Sequence, residues 1–330
     1  MTRPLKIPER QLERVRWLED QLERAARAGE LNKAKVALDD LKPILNKYHH
    51  TARLLQAYLK LYEGALESWN LDVAKRGFEF VRNQAGKNTR IYLEATALLA
   101  ISHLREQNTF SAEPLMAEVL RNEEIIKSEK QRTTFRQEII DRFDQEGALA
   151  ALADCHPDLK SESEIHQEAV RLLRQGKTEN DMEELIGANT PQSVKDFLLK
   201  VDTISKNLLP HEERLLLPSP KEVVKNRQAG RVLFQGVRRK IYFYVCDKDS
   251  KIYQAWLHEG IDAILNKGYV ASAVVGALAD LRIGAGAIAV GVTAALMKMG
   301  VETYCKKNKP NSLMSLRKRS NKHLNKDASR

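Results

Sequence analysis

The sequence has few aromatic residues and no apolar run at its start, and both shortages narrow what the chain can be. Phe, Trp and Tyr make up 6% of the 330 residues, whereas charged residues make up 30% and hydrophobic residues 43%. Leu, Ala, Glu, Lys, Arg and Gln dominate, which favours helix over sheet. Because residues 1–17 lack an apolar stretch, we expect no secretory signal peptide.

Cysteine is scarce as well. The three cysteines, at positions 155, 246 and 305, are far apart and odd in number. This spacing predicts neither a disulfide framework nor a CxxC metal site. A reducing compartment fits best, so we expect the protein in the cytoplasm, either free or associated with the cytosolic face of a membrane.

The patterns that accompany catalysis are also missing. The eight histidines form no HExxH pair, and the glycines form neither GxxxxGK[ST] nor GxGxxG. Cys155 and His156 are adjacent, but neighbouring residues on a backbone usually point apart and make a poor nucleophile–base pair. We therefore predict no catalytic residue, no cofactor and no metal ligand, and we expect a protein that acts by interaction or assembly.

The first 205 residues carry the periodicity of amphipathic helices. Between Pro8 and Leu45, apolar residues recur every three or four positions, with a break near Gly29. The same pattern predicts further helices over 52–68, 71–84, 91–106 and 109–122. Short loops join these segments, so we expect residues 1–205 to form one domain of antiparallel helices.

Three of these helices share a spacing in which a small residue is followed four and seven positions later by apolar ones. The sets are Ala34, Leu38 and Leu41; Ala74, Phe78 and Val81; and Ala112, Met116 and Val119. The spacing resembles the second helix of tetratricopeptide-type repeats. The sets are 40 and 38 residues apart rather than that family's 34, and Tyr62 stands where the first helix of the middle unit normally has a small residue. The resemblance implies a solenoid of helix pairs that binds a protein partner on its concave face; a non-repeating helical bundle is the alternative.

The composition of the sequence changes near residue 206, where the helical periodicity ends. Three prolines between positions 210 and 220 predict a linker over 206–222, followed by a C-terminal module over 223–305. In this module the run from Ile241 to Val245 is β-branched and aromatic, and the polar DKDS and then Ile252 follow. These features predict a β-hairpin. The predicted fold class is therefore mainly α, with a small α+β C-terminal module.

The stretch GALADLRIGAGAIAVGVTAALMKMG, at 276–300, predicts an Ala/Gly-rich helical hairpin with helices over 255–281 and 284–304. Small and turn residues that would let these helices pack closely are Ser272, Gly276, Asp280, Arg282, Gly284, Ala287, Gly291 and Ala295. Such stripes occur in membrane helices and also in the cores of soluble proteins.

Length limits the membrane alternative. The uncharged run 283–297 is shorter than the roughly 20 residues that a spanning helix needs. Asp280 and Arg282 would each cost about 2.5–3.5 kcal/mol at a helix centre. Three alternatives stay open: one marginal span, a shallow hairpin that enters a membrane as an oligomer, and a hairpin buried in a soluble core.

The formal net charge of +10 is concentrated near the C-terminus. Residues 306–330 hold nine Lys or Arg against one acid, and 221–240 is also basic. The candidate side chains for an anionic partner are Arg238, Arg239, Lys240, Lys306, Lys307, Arg317, Lys318 and Arg319. The tail predicts an arm for anionic lipid or nucleic acid; a solvated, disordered terminus is the alternative.

Together these observations predict a non-enzymatic interaction protein. Its helical repeats would bind a protein partner, and its apolar hairpin would dock to or enter a membrane, with homo-oligomer formation as one route. The alternative is a soluble accessory protein that binds nucleic acid through its basic segment and tail.

Overall fold

The computed structural model of the chain describes residues 3–153, 160–246, 250, 253–255, 258 and 268–308. The chain is 81% helical, and no strand is present within those residues. The described residues divide into two compact units, one formed by residues up to 103 with 108–136, and one formed by 104–107 with the described residues from 137 to 308.

Six helices and a short 3₁₀ helix form unit 1. They are α1 (Glu9–Arg27), α2 (Leu31–Lys47), α3 (Thr51–Glu67), α4 (Leu71–Gln84), α5 (Arg90–Arg105), α6 (Thr109–Arg121) and the 3₁₀ helix Glu123–Ile125. The last residues of α5 belong to unit 2. The helices predicted from the sequence in this region are thus confirmed.

Unit 2 contains the greater part of α7 (Glu129–Ala153) and nine further described helices. They are α8 (Glu162–Arg174), α9 (Glu179–Ala188), α10 (Gln192–Asn207), α11 (His211–Leu215), α12 (Pro220–Val223), α13 (Asn226–Cys246), α14 (Tyr269–Asp280), α15 (Gly286–Met299) and α16 (Val301–Lys307). The predicted linker lies inside this unit, where α12 packs against α10 and α13.

The mainly α prediction is confirmed, but the β-hairpin is wrong. Residues 241–245, predicted as its first strand, form the end of one helix, α13, and residues 253–255 are helical as well. Ile252, in the predicted second strand, lies outside the described residues. The buried residues Ala229, Leu233, Val237, Ile241 and Val245 are four apart, which is helical spacing. The β-branched run is short, and this longer apolar stripe, which packs against other helices, overrides its local preference for strand.

One turn recurs between the helices of unit 1 and again at the end of α5, in unit 2. Gly29, His49 and Trp69 each follow a helix with positive φ and lie twenty residues apart, and Gln107 adopts the same conformation after α5. In each turn this residue's amide bonds to the carbonyl three positions back, and the next amide bonds five positions back. This is the Schellman arrangement, which closes a helix and redirects the chain. The regular spacing is consistent with a helical repeat.

Replacing His49 with glycine should raise the free energy of unfolding by about 0.5–1 kcal/mol. The left-handed conformation costs a non-glycine residue about 1–2 kcal/mol, part of which is offset because glycine gains more freedom in the unfolded chain. His49 is exposed, so little packing is lost. The measurement is urea unfolding beside His49→Ala, which keeps a Cβ and should show no gain. An equal gain for both variants would contradict the explanation.

The apolar triplets predicted from the sequence are buried. Ala34, Ala74 and Ala112 are fully buried, as are the larger members of each set. In the middle helix pair, α3 carries a large residue where the repeat pattern has a small one, and α4 carries the small residue. Tyr62 on α3 lies over Gly77 on α4, where an added Cβ would be 2.1 Å from the tyrosine ring. The large residue at the expected small position is therefore matched by a glycine on the partner helix.

Unit 2 contains a backbone-to-backbone helix contact. A Cβ added to Gly187 on α9 would lie 1.7 Å from the Asn226 carbonyl oxygen, and one added to Gly230 on α13 would lie 1.9 Å from the Glu183 carbonyl oxygen. Only glycine permits this approach. Helices α9 and α13 therefore meet through their backbones, at a place where the sequence analysis predicted no such contact.

Helix α15 forms the centre of the unit 2 core. Its residues from Gly286 to Met297 are buried, except for half-buried Ala287. Helices α8, α9, α14 and α16 pack against it. A helix that is apolar all round requires such an environment, or a lipid one.

A disulfide corrects the prediction from cysteine spacing. Cys246, the last residue of α13, is bonded to Cys305 on α16, 59 positions further along the sequence. Two of the three cysteines are therefore paired, and Cys155 lies outside the described residues. The scarcity and spacing of the cysteines therefore no longer favour a reducing compartment.

Candidate functional site

The predicted stripe on α14 faces α8 and α13. The Ser272 hydroxyl donates to the Glu162 carboxylate at the start of α8. A Cβ added to Gly276 would lie 2.8 Å from the Tyr244 ring on α13. The small residues of α14 thus leave room for side chains from other helices, although α14 also packs on α15.

Asp280 ends this stripe as an acceptor for two side chains of α13. The Tyr244 hydroxyl donates to its carboxylate over 2.8 Å, and Lys240 Nζ lies 3.0 Å away. Burial, followed by the hydrogen bond and charge of Asp280, raises the pKa of Tyr244 to about 12. The tyrosine stays protonated at physiological pH and holds the end of α14 against α13.

The stripe on α15 faces α9. A Cβ added to Gly291 would lie 2.6 Å from Ile186 Cγ1. Ala295 is buried and Ala287 half-buried. In the turn before this helix, Arg282 is exposed with a left-handed backbone and Gly284 is half-buried. Of the eight predicted packing residues, Ser272, Gly276, Asp280 and Gly291 thus contact three different helices, α8, α13 and α9, and do not form a single seam.

No single helix among the described residues is long and apolar enough to cross a membrane. Helices α15 and α16 together meet the length and composition of a span, but they meet at 93°. The helix α14 is apolar but shorter.

The basic residues predicted to bind an anionic partner are largely engaged within unit 2. Arg238 Nη1 donates to Asn308 Oδ1 over 2.8 Å, Arg239 pairs with Glu146 and Lys240 pairs with Asp280. Lys306 pairs with Glu302 at the surface, and Lys307 is exposed. The three tail residues at 317–319 lie outside the described residues.

The pairing of Arg239 belongs to a buried charge centre. The Glu146 carboxylate is fully buried and meets Arg105, Arg142 and Arg239 over 2.6, 2.8 and 2.7 Å. These residues come from α5, α7 and α13, so one carboxylate connects three helices. Arg105 and Arg239 donate charge-assisted hydrogen bonds to this carboxylate, which are stronger than neutral ones, and Arg142 adds an ion pair.

A second buried centre joins α7 to α10. Asp144 and Asp202 are both buried, and Lys206 Nζ lies 2.7 Å from Asp202 Oδ1. Asp144 Oδ1 and Asp202 Oδ2 have no conventional donor. Burial raises the pKa of Asp144 well above its ordinary value, and the nearby Asp202 and Asp141 raise it further, against the charge of Lys206. These interactions favour a proton on the Asp144 carboxyl, which could then donate a hydrogen bond to Asp202.

Asp144→Asn should flatten the pH dependence of stability. The pKa of Asp144 is raised on folding, so the folded chain binds more protons above about pH 4, the ordinary pKa, and stability falls as pH rises through the folded pKa. The slope in that window reaches about 1.4 kcal/mol per pH unit. Asparagine imitates the protonated acid and should remove this contribution.

The measurement is urea unfolding at a series of pH values from 4 to 9. Exposed Asp196 on α10 supplies the matched control, and Asp196→Asn should leave the slope unchanged. If both variants follow the wild-type curve, Asp144 does not hold the proton.

Sequence reasoning did not identify either charge centre. Arg142, Asp144 and Glu146 all lie on α7 and are all buried. Their only signal is that they share the helix with apolar Ile139 and Phe143 in the segment FRQEIIDRFDQEGALAALA. The sequence of α7 alone does not distinguish these buried charges from a solvated polar face, because their partners lie on α5, α10 and α13.

Large apolar side chains are exposed in each unit. In unit 1, Trp17 on α1 is 58% exposed and Phe110 on α6 is 89% exposed. In unit 2, Leu215 and Leu216 at the end of α11 are exposed. Trp is enriched among the residues that dominate binding energy at protein interfaces. These residues are the candidate contact points for a partner.

Within the described part of the chain, no group of three or more His, Cys, Asp or Glu side chains is arranged to hold a metal ion. Comparison of the chain with protein-family models, with curated proteins and with solved structures finds no match.

Proposed function

We propose that the protein is a non-enzymatic adaptor whose unit 1 binds a protein partner. The observation that carries this proposal is the recurrence of one helix-ending turn at Gly29, His49 and Trp69, with equal spacing. Turns of one type at equal spacing are what an array of similar helices would show. Arrays of stacked helix pairs create extended surfaces, which such proteins use to bind partners.

The exposed aromatic side chains support a binding role for this unit. Trp17 and Phe110 leave most of their apolar area in water, although each could have been replaced by a polar residue without loss of core packing. A large aromatic side chain gains binding energy when a partner removes it from water. A protein with apolar pockets for these two rings is the partner that this chemistry fits.

Membrane docking through unit 2 is the second candidate. It is favoured by the apolar character of α15 and by the combined length of α15 and α16. Helix α15 is buried in its own unit, so docking requires that it first leave the core. A homo-oligomer would be one way to shield its polar neighbours within a lipid environment.

Nucleic-acid binding has weaker support. Arg239 and Lys240 make ion pairs within unit 2 and Arg238 bonds to Asn308. Phosphate contacts by these side chains would have to replace those bonds, so Lys307 and the tail would carry the charge for such a partner.

The test of partner binding is affinity capture by the full-length chain from the cells that produce it, with chemical cross-linking and identification by mass spectrometry. Trp17→Ala with Phe110→Ala should lower partner affinity at least about tenfold, the usual loss for a dominant interface residue. Both side chains are exposed, so circular dichroism should not change. Leu215→Ala with Leu216→Ala in unit 2 is the matched control and should keep the partner. Capture that survives the first pair of changes and is lost with the second would contradict the assignment to unit 1.

Membrane docking is tested separately by flotation with neutral and anionic lipid vesicles. The full chain and a chain ending at residue 308 are compared at low and high salt. Binding through the apolar hairpin should resist high salt and survive loss of the tail. Binding that disappears in either case reports only the charge of the tail.

A further inference from the structure

The disulfide is placed where it closes the C-terminal arm of unit 2. Cys246 ends α13 and Cys305 lies in the middle of α16, and both side chains are half-buried. Helix α16 packs against both α13 and α15. The covalent bond therefore attaches the segment that follows α15 to a helix that lies far earlier in the chain.

The junction between α15 and α16 has the properties of a hinge. Gly300 has φ +77°, and a Cβ added there would meet nothing within 4 Å. This glycine is thus required for backbone conformation and not for close packing. The two helices meet there at 93°, so a change in the Gly300 dihedral angles would rotate α16 relative to α15.

Apart from the disulfide, a few polar contacts hold α16 in place. The Tyr304 hydroxyl donates to the Arg238 carbonyl oxygen over 2.6 Å, and Arg238 donates to Asn308 over 2.8 Å. Asn308 also reaches the Met299 sulfur at 3.3 Å. These contacts, with the apolar packing of Val301 and Tyr304, close the end of the core around α15.

We propose that the Cys246–Cys305 disulfide is a redox latch that holds the α15–α16 arm against α13 and that a dithiol reductant opens it. A thiolate of the reductant attacks one sulfur, forms a mixed disulfide and releases one cysteine thiolate. The second reductant thiol then closes onto the first and releases the other cysteine. The reductant leaves as a cyclic disulfide, and two cysteine thiols remain. The opening itself does not depend on the proposed function; only the use of an opened arm at a membrane does.

The test is hydrogen exchange with mass spectrometry on the full chain, oxidised or treated with dithiothreitol. The mass of the oxidised chain first establishes the bond. Reduction should speed amide exchange in α16 and the last turn of α15 by about tenfold or more, within the upper limit of about a thousandfold that loop closure over 59 residues allows. Exchange in α9 and the middle of α13 should not change.

Two variants keep the test independent of the reagent. Cys246→Ser with Cys305→Ser should show fast exchange in the arm without reductant, whereas Cys155→Ser should respond to dithiothreitol like the wild type. The proposal is overturned if the bond does not form in air-oxidised protein, if reduction leaves exchange in the arm unchanged, or if it speeds exchange equally throughout unit 2. None of these readouts uses a partner or a vesicle, so failure here is distinct from failure of the proposed function.

Discussion

Gly230→Ala should lower the free energy of unfolding of unit 2 by about 3 kcal/mol or more, the upper range for overpacking a core. The new Cβ would lie 1.9 Å from the carbonyl oxygen of Glu183 and 2.8 Å from the amide nitrogen of Gly187. Both are backbone atoms, so no side-chain rotation can make room. Helices α9 and α13 would have to separate, and the apolar residues buried between them would lose contacts. Urea unfolding followed by circular dichroism measures the effect.

The control lies on the same helix. Gly236 is also buried in α13, but the nearest atoms to its added Cβ would belong to the Leu149 side chain, at 3.2 Å. Leucine can shift by a few tenths of an ångström, and alanine is favoured over glycine in a helix by about 1 kcal/mol. Gly236→Ala should therefore be neutral or slightly stabilising. Equal losses for the two variants would show that α9 and α13 do not meet through their backbones at Gly230.

Glu146→Gln should cost about 3–5 kcal/mol, the loss usual when one partner of a buried ion pair is removed. The Glu146 carboxylate attracts the guanidinium groups of Arg105, Arg142 and Arg239. Glutamine keeps the shape and removes the negative charge, so the three cations repel one another in a site with little water. The effect should appear in thermal and urea unfolding alike.

Glu302→Gln provides the comparison with an exposed pair. Glu302 pairs with Lys306 at the surface, where both side chains are at least half exposed. Its loss should cost less than about 0.5 kcal/mol, because water screens exposed pairs. If Glu146→Gln is as mild as Glu302→Gln, Glu146 does not organise the charge centre.

The helical content of unit 1 was predictable because its signal is local. Leu18 and Leu22 on α1, and Leu38 and Leu41 on α2, recur at helical spacing and are buried. An amphipathic stripe identifies both the helix and the face that will be buried, whatever its partner. The tetratricopeptide-type resemblance stays a prediction, although the triplets on which it rests lie in the core.

The strand predicted within α13 was wrong because it rested on local residue preferences. Ile241, Tyr242, Phe243, Tyr244 and Val245 have strong strand preferences, yet they end a helix of 21 residues. The four-residue stripe that begins at Ala229 was present in the sequence. It outweighs the short run because it places a whole helix face against α9 and α14.

The candidate sites depended on partners distant in sequence. The sequence shows directly that Arg238, Arg239 and Lys240 are cations. Their ion pairs could not be predicted, because Glu146 lies 93 positions from Arg239 and Asp280 lies 40 positions from Lys240. A cation that could bind a partner, judged from sequence, instead forms an ion pair when the fold brings a carboxylate to it.

The sequence by itself determined that the chain is helical, which faces of its helices are apolar, and where small residues form stripes. These properties follow from spacing along one helix. Only the tertiary structure decided that Gly291 faces Ile186, that Gly230 meets the α9 backbone and that Cys246 bonds to Cys305. A periodic pattern specifies a surface without specifying what covers it, because the partner is chosen by packing of the whole unit.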